Sequence, residues 1–568
     1  MITFAPMALL ARPSRGRTLA RPRVTVAAFL ALLSCAPFGR ALAQSGVGPL
    51  DDATPIPGGW IRFGVLNSWT RYDSRFNGEG RIDPLGAPLS TDSLGPRQLP
   101  LLAPVEGALQ TLTKNPLQRL TFGRLFTQSD ARIVTTPFVL EYGVSNRLSF
   151  GVTVPVVQTR QTAQVRVNVP VAGDVTPLGN MGWVPATLRS SYAQSSASVI
   201  ASLTAAASGL NSLLTSCAAN PGAPQCSTIQ GQEAAAAATA ARANQFAAAV
   251  ATAYGINEQT ALVAPLQGTQ LATTIEAQRA ALAAQLATFV PGTQIGTLPV
   301  VTSPFSYIDL QGRVQQPGLL QSALGGGLDS IHTTDRLGVG DIEIGVRFAL
   351  LDHISRDSVG PPGFQYRMVL GGVYRLATSR PDSARDLLDI GTGEGGGIEG
   401  RASLELIGAS AGLTLAGRYS KSFARAVELP LVGYTIAGFP YPAFGPVQRT
   451  AGDFFSIAAA PRFYLNSWMS VEGDYAMEHV GAPTFVPPPG FECPGCVPPE
   501  GSVLPIATTV QNIGFGLRYS TVLSYLRHRA RYPIEVSYHH LEALSGDAGT
   551  PKYYRDIIQL RLYYRLLR

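Results

Sequence analysis

The sequence predicts an all-β transmembrane antiparallel barrel of about twelve strands (range roughly 10–14), with an α-helical insertion in an extracellular loop. Three observations predict it. Apolar residues repeatedly alternate with small or polar ones, the connections between these runs are alternately short and long, and the N-terminus reads as an export signal.

The alternation is plainest in TPFVLEYGVSNRLSFGVTVPVV, Thr136–Val157. Phe138, Leu140 and Tyr142 share one parity, while Val139 and Glu141 share the other, beside Pro137. After GVSNR, Leu148, Phe150, Val152, Val154 and Val156 are apolar, with Ser149, Gly151 and Thr153 between them. A period of two means strand, and a short stretch rich in Gly, Ser and Asn between two such runs means a hairpin. A soluble sandwich would turn the apolar parity to a packed core. A barrel turns it to lipid and leaves Glu141 inside, where it avoids the few kcal/mol or so that a lipid-facing carboxylate costs near the midplane.

The pattern recurs. Ile342, Ile344, Val346, Phe348 and Leu350 alternate with Asp341, Glu343, Gly345 and Arg347. Further runs follow at Met469–Glu478, Asn512–Tyr519 and Ile558–Leu566. The strands read as about 60–73, 134–142, 148–158, 341–352, 366–377, 398–407, 410–423, 454–465, 469–480, 507–520, 533–541 and 557–566. With the chain starting in the periplasm, the periplasmic connections are 143–147, 353–365, 408–409, 466–468 and 521–532. The outside connections are then 74–133, 159–340, 378–397, 424–453, 481–506 and 542–556. Every very short turn falls on one side, as outer-membrane barrels require and a soluble sandwich does not. Trp60, Trp69, Tyr142, Tyr464, Trp468, Tyr519 and Tyr564, near strand ends, are expected in interfacial aromatic girdles.

The formal charge of +7 misdirects. Of 44 basic residues, Arg12, Arg15, Arg17, Arg21, Arg23 and Arg40 precede the expected cleavage site, which leaves 38 against 37 acidic residues and removes the main support for nucleic-acid binding. An Arg-rich start, the apolar run Val24–Leu33 and the A-x-A site Ala41-Leu42-Ala43 predict a signal peptide over 1–43 and a bacterial outer-membrane location. Cleavage after Ala43 and lipidation at Cys35 both remain open. The expected division is then 44–158 for strands one to three and the first outer loop, 159–340 for a long outer loop, and 341–568 for strands four to twelve. Cys217 with Cys226, and Cys493 with Cys496, are disulfide candidates in an exported chain.

The segment 186–290 is rich in Ala, Gln, Ser and Thr and follows helical spacing. Tyr192, Val199, Leu203, Leu210 and Leu213 form one narrow seam, and Leu271, Ile275, Leu282, Leu286 and Phe289 form another. Three helices are expected over about 186–216, 228–254 and 266–289, broken at Asn220-Pro221-Gly222 and at Pro265 and Gly268.

Chemistry is sparse. There is no G-x-S-x-G or H-E-x-x-H, and adjacent His539 and His540 on a strand point to opposite faces. GTGEGGG at 391–397 lacks a strand-to-helix context and reads as a flexible outside loop. The reading is therefore not an enzyme, with no cofactor, metal or nucleic-acid partner; an outer-membrane hydrolase is the rival class. The expected lumen-lining residues are Glu141, Asp341, Glu343, Arg347, Arg375, Arg401, Glu405, Arg418, Arg462, Glu472, Asp474, Glu478, Arg518, Glu535, His539 and Arg561. Their mixed signs leave two arrangements open: pairing that fills a narrow interior, or a small polar path. Twelve strands enclose more room than eight, so a narrow channel or a plugged barrel is expected rather than a wide pore.

The stretches LEYGVSNRLSFGVTVP, GVGDIEIGVRFALLD, ATSRPDS with LLDIGTGEGG, and RTAGDFFSIAAAPRFYL resemble the outer-membrane transporter barrels of the phenol meta-pathway family. That family is distantly similar to the long-chain fatty-acid channels. The resemblance covers roughly 130–160 and 336–566 and implies passive passage of small hydrophobic or aromatic solutes; the helical insertion departs from it. The alternative is a non-transporting surface barrel whose helical loop binds a partner or self-associates. Expected partners are outer-membrane lipid and a small hydrophobic solute.

Overall fold

The computed structural model describes residues 53–169, 179–256, 261–313, 316–322, 327–354, 364–383, 385–386, 388–436, 439–486 and 507–566. The signal peptide, Cys35, Ala43, Cys493 and Cys496 lie outside the described residues.

Twelve antiparallel strands close into a barrel: β1 (Trp60–Phe76), β2 (Leu125–Gly143), β3 (Leu148–Val167), β4 (Glu343–Asp352), β5 (Gln365–Arg375), β6 (Gly397–Ile407), β7 (Ala411–Ser422), β8 (Phe454–Tyr464), β9 (Met469–Val480), β10 (Thr508–Ser520), β11 (Ile534–Gly546) and β12 (Pro551–Arg565). Each pairs with its sequence neighbour, and β12 pairs with β1 from Trp60↔Arg565 onward. Closure leaves no barrel edge unpaired, the condition for a sheet in lipid.

The tight turns explain themselves locally. Asn466 Oδ1 accepts from Trp468 N and Met469 N, each at 2.9 Å. Ser145 Oγ accepts from Leu148 N at 3.0 Å. Such side chains mimic the backbone acceptor a tight turn lacks. On the outside of the barrel, Phe138, Leu140, Phe150 and Val152 are exposed, while Glu141 between them is buried. From Tyr564 to Tyr554 the outward parity of β12 is predominantly apolar, which at ~3.3 Å per residue and a tilt of about 40° spans roughly 25 Å, the height of an outer-membrane apolar band.

Several expectations are corrected. β2, β3, β11 and β12 run past the apolar band, and their extra residues carry polar outward positions such as Gln128, Asp130 and Glu542, which mask the membrane-strand pattern. The outside connection 542–556 shrinks to a four-residue turn, 547–550. Trp60 and Tyr464 fall on the inward parity at the short-turn end, not in a lipid-facing girdle; Trp60 packs edge-on against Tyr525 at 5.7 Å. The strand expected at 341–352 begins at Glu343, preceded by a separate piece, Thr334–Val339, on β3. Between them Asp341 turns inward.

The helices are α1 (Ala103–Thr113), α2 (Arg189–Ala219), α3 (Glu233–Ala253) and α4 (Gln270–Phe289). α1 comes from the first outer loop, yet it shares one apolar core with the helices of the second through Leu109, Leu112, Leu203, Ala240, Val250 and Leu286. The core continues onto Ala163, Val165 and Val167 on the inward face of β3, so the helices form a cap over the long-loop mouth. Alanines on α3 let helices approach closely. α2 is long and apolar enough to cross a membrane by length and composition, but its Val199, Leu203 and Leu210 belong to the cap core. Cys217 and Cys226 form a disulfide between α2 and the turn that follows.

Asn168 ties cap to barrel. Its Nδ2 donates to Phe122 O and Phe305 O, both at 2.8 Å, and its Oδ1 accepts from Arg124 N at 2.8 Å. Gly123, at φ +97°, lies so close that a Cβ there would meet the Asn168 amide.

Candidate solute path through the barrel interior

Because inward and outward positions alternate, every polar side chain on the inward parity must find a partner across the lumen or water. At the short-turn end the partners form a belt. Arg367 Nε donates to Glu405 at 2.6 Å, Arg462 donates to Glu405 at 2.8 Å and to Glu472 at 2.6 Å, and Arg518 lies 3.9 Å from Glu472. Arg518 also pairs with Glu535, to which Arg561 donates at 2.7 Å. A second arc joins Arg62 to Glu141, and Arg347 to Glu141 at 3.3 Å. Signs alternate along each arc, so buried charges are matched rather than stranded.

Further toward the long-loop end, Glu399 accepts from Arg375 at 2.8 Å and from Arg418 at 2.7 Å, and also binds Arg401. Arg401 reaches Glu343 at 2.9 Å. On the other wall, His539 Nδ1 lies 2.8 Å from Asp474 and Arg555 lies 3.7 Å from Glu478.

All sixteen sequence-selected lumen residues are thus buried or half-buried on the inward side. Fifteen enter these pairings; Asp341 does something else. Its carboxylate accepts from Ser379 N at 3.0 Å and Gly395 N at 2.9 Å, which draws the loop 376–396 into the mouth. The GTGEGGG stretch, expected as an outside loop, is tied to Asp341 through Gly395 N. Gly395, at φ +106°, supplies a backbone turn that a side chain would strain.

Sequence reading missed Arg62, Arg367, Glu399 and Arg555, which carry much of the network. Glu399 shares parity with Arg401 and Glu405, so the signal was present. Arg555 precedes the expected start of the last strand. His539 and His540 do face opposite ways: His539 is buried inside and His540 lies outside. Glu472, Asp474 and His539 place ligand atoms within 4.8 Å of one another, a set that suits a divalent cation, although Arg462 already holds Glu472.

The interior divides into three levels. At the long-loop end, Tyr72, Phe76, Ile133, Val157 and Tyr553 share one buried apolar cluster with Ile390 from the loop 376–396. Below them a cavity of about 120 Å³ is bounded by Leu66, Val139, Val369 and Val373 as well as by Arg62, Glu141, Glu343 and Arg401. Below the belt a vestibule of about 540 Å³ opens between Thr54, Pro57, Tyr464, Trp468 and Leu523. Residues before β1 enter this end: Ala53 packs on Ala349 and Val369, and Arg367 donates to Thr54 Oγ1 at 2.6 Å.

No protein-family model matches the chain, and no curated protein matches it. Among solved structures, an outer membrane channel from Pseudomonas putida F1 is similar over 90% of this chain and 98% of its own, at 8% identity and a TM-score of 0.37. A FadL homologue from Pseudomonas aeruginosa is similar over 94% and 98%, at 10% identity and 0.27. The toluene transporter TbuX of Ralstonia pickettii is similar over 93% and 94%, at 9% identity and 0.21. On its own strand pairings, the chain is a closed antiparallel barrel of twelve strands with an apolar outer band.

Proposed function

We propose that this barrel passes small hydrophobic or aromatic solutes across the outer membrane without an energy source. The observation that carries the reading is the order of surfaces along the interior. A buried apolar cluster that includes Ile390 and Tyr72 lies toward the long loops, a small cavity of mixed lining lies below it, and a belt of paired charges stands between that cavity and the vestibule. An apolar entry favours solutes that shed water, and the belt bars free passage of ions, whose hydration its matched charges do not replace. Passage requires the loop 376–396 or the belt to move aside.

The test is uptake of a small aromatic probe into vesicles holding the refolded chain, with ion conductance measured in parallel. Aromatic flux above empty vesicles with little ion conductance supports the reading. No flux in the folded chain, with or without residues 186–290, sinks it. A second reading has its own observation: the outward face of α2 is uncharged from Gln194 to Thr215, carrying Gln, Ser, Thr, Ala and Asn. Such a face suits a partner or a second copy, and self-association that depends on the cap supports that alternative.

A further inference from the structure

The outward side chains of the barrel change from apolar to charged at the long-loop end, and in one place the change is abrupt. Arg71 of β1 stands opposite Arg132 of β2, and Arg132 stands opposite Arg160 of β3. All three lie on the outward parity and are exposed. The row sits one step beyond Trp69 and Val134, where the apolar band ends. Residues directly opposite in antiparallel strands hold their Cβ atoms about 4.5–5.5 Å apart, and like charges so placed repel. Inside the barrel, arginines sit against carboxylates. On the strands flanking the row, each end has one acidic neighbour, and both are engaged elsewhere. Asp335, opposite Arg160, accepts from Gln158, and Asp556, beside Arg71, is held by Tyr538 and His540.

Three guanidinium groups brought into register select an anion. The planar fork of arginine matches a phosphate, and the position puts that phosphate at the boundary of the hydrocarbon layer. The next outward positions add a second requirement. They hold Asp73 and Asp130, exposed carboxylates that accept hydroxyl hydrogens, as Asp130 already does from Thr162, and that repel further anionic charge. A headgroup with its phosphate near the acyl chains and sugar hydroxyls farther out satisfies both rows; a plain phosphodiester lipid satisfies only the first. We propose that Arg71, Arg132 and Arg160 bind the phosphate of a phosphorylated glycolipid of the external leaflet, its acyl chains lying over Val134 and Phe138. This binding surface is separate from the solute path and stands whether or not the barrel transports.

Native mass spectrometry of the folded, delipidated full chain in neutral detergent tests it. The added probes are bisphosphorylated lipid A, the same glycolipid without phosphate, phosphatidylglycerol and inorganic phosphate. Retention of the phosphorylated glycolipid should exceed that of the dephosphorylated form and of phosphatidylglycerol by on the order of tenfold or more. Millimolar inorganic phosphate should not displace it. Equal retention with and without phosphate overturns the proposal on the wild-type chain alone, so it does not depend on any variant folding. Equal retention of phosphatidylglycerol overturns the glycolipid assignment. The combined R71Q, R132Q and R160Q variant should lose most of the bound glycolipid, and R132K, which keeps charge but not the fork, should lose part. Undiminished retention in the combined variant removes the site from this row.

Discussion

Arg462 donates to Glu405 at 2.8 Å although β7 separates their strands. The reach is possible because β7 places only Gly412 and Thr414 on the intervening inward positions. The same guanidinium binds Glu472 on its other side, so one arginine fastens two carboxylates and closes that sector of the belt.

Replacing Arg462 by Met should therefore leave Glu405 with Arg367 alone and Glu472 with only the more distant Arg518. Removing one partner of a buried pair costs about 3–5 kcal/mol, and here the loss also opens the vestibule to the cavity above. Urea unfolding in lipid vesicles should show the reduced stability, and bilayer recordings should show raised ion conductance. Unchanged conductance with reduced stability would mean that the belt does not form the barrier to ions.

The loop 376–396 depends on Gly395. Gly395→Ala puts a side chain at φ +106°, a strain on the order of 1–3 kcal/mol, and crowds Arg425. Hydrogen exchange should accelerate across the loop while the barrel strands keep their protection. Asp341→Asn should act in the same direction, since it weakens the acceptor for Ser379 N and Gly395 N.

Glu394 gives the loop a pH dependence. Burial pushes its carboxyl above the usual carboxylate range, with Arg375 opposing and Asp341 adding to the rise. A folded-state pKa above the unfolded one means that the contribution is complete below the unfolded value and is lost as pH rises through the folded value. The loop should open more readily at neutral than at acidic pH, once exchange rates are corrected for intrinsic pH effects. Glu394→Gln should flatten that dependence.

Asn168→Ala deletes the side-chain bonds to Phe122, Phe305 and Arg124. Each buried backbone group left unpaired costs roughly 1–3 kcal/mol. Limited proteolysis should cut the cap sooner, whereas the heat-modifiable gel mobility of the barrel should stay as in the parent chain. A shift in mobility would mean that cap and barrel fold as one unit.

The Cys217–Cys226 disulfide spans a sequence separation of nine, so its loop-closure contribution is about 2.5 kcal/mol. Serine at both positions should lower the thermal midpoint of the helical signal alone. Solute flux should not change if the cap only shields the mouth.

Much of this molecule was legible because lipid enforces alternation. Between Phe138 and Val156 the outward parity is apolar, and the assigned strands cover both arms of that hairpin. Where lipid ceases to act, legibility falls. The residues Asp130, Arg132 and Arg160 continue the same strands above the membrane, and with water outside they carry no apolar stripe. α1 was missed because a helix this short gives little periodic signal of its own and owes its place to a core built mainly by a later loop. The belt was half legible: Glu405 and Arg462 were read from parity, but only three-dimensional register shows that they meet.

The pairing of Trp60 with Arg565 has a consequence for biogenesis. The first strand finds its second neighbour only after the last strand has emerged, so an assembling chain carries an open seam throughout its insertion. Whatever holds that seam must shield β1 until β12 arrives. A chain cut before Pro551 would present β1 and β11 as free edges, each able to capture a strand from another chain.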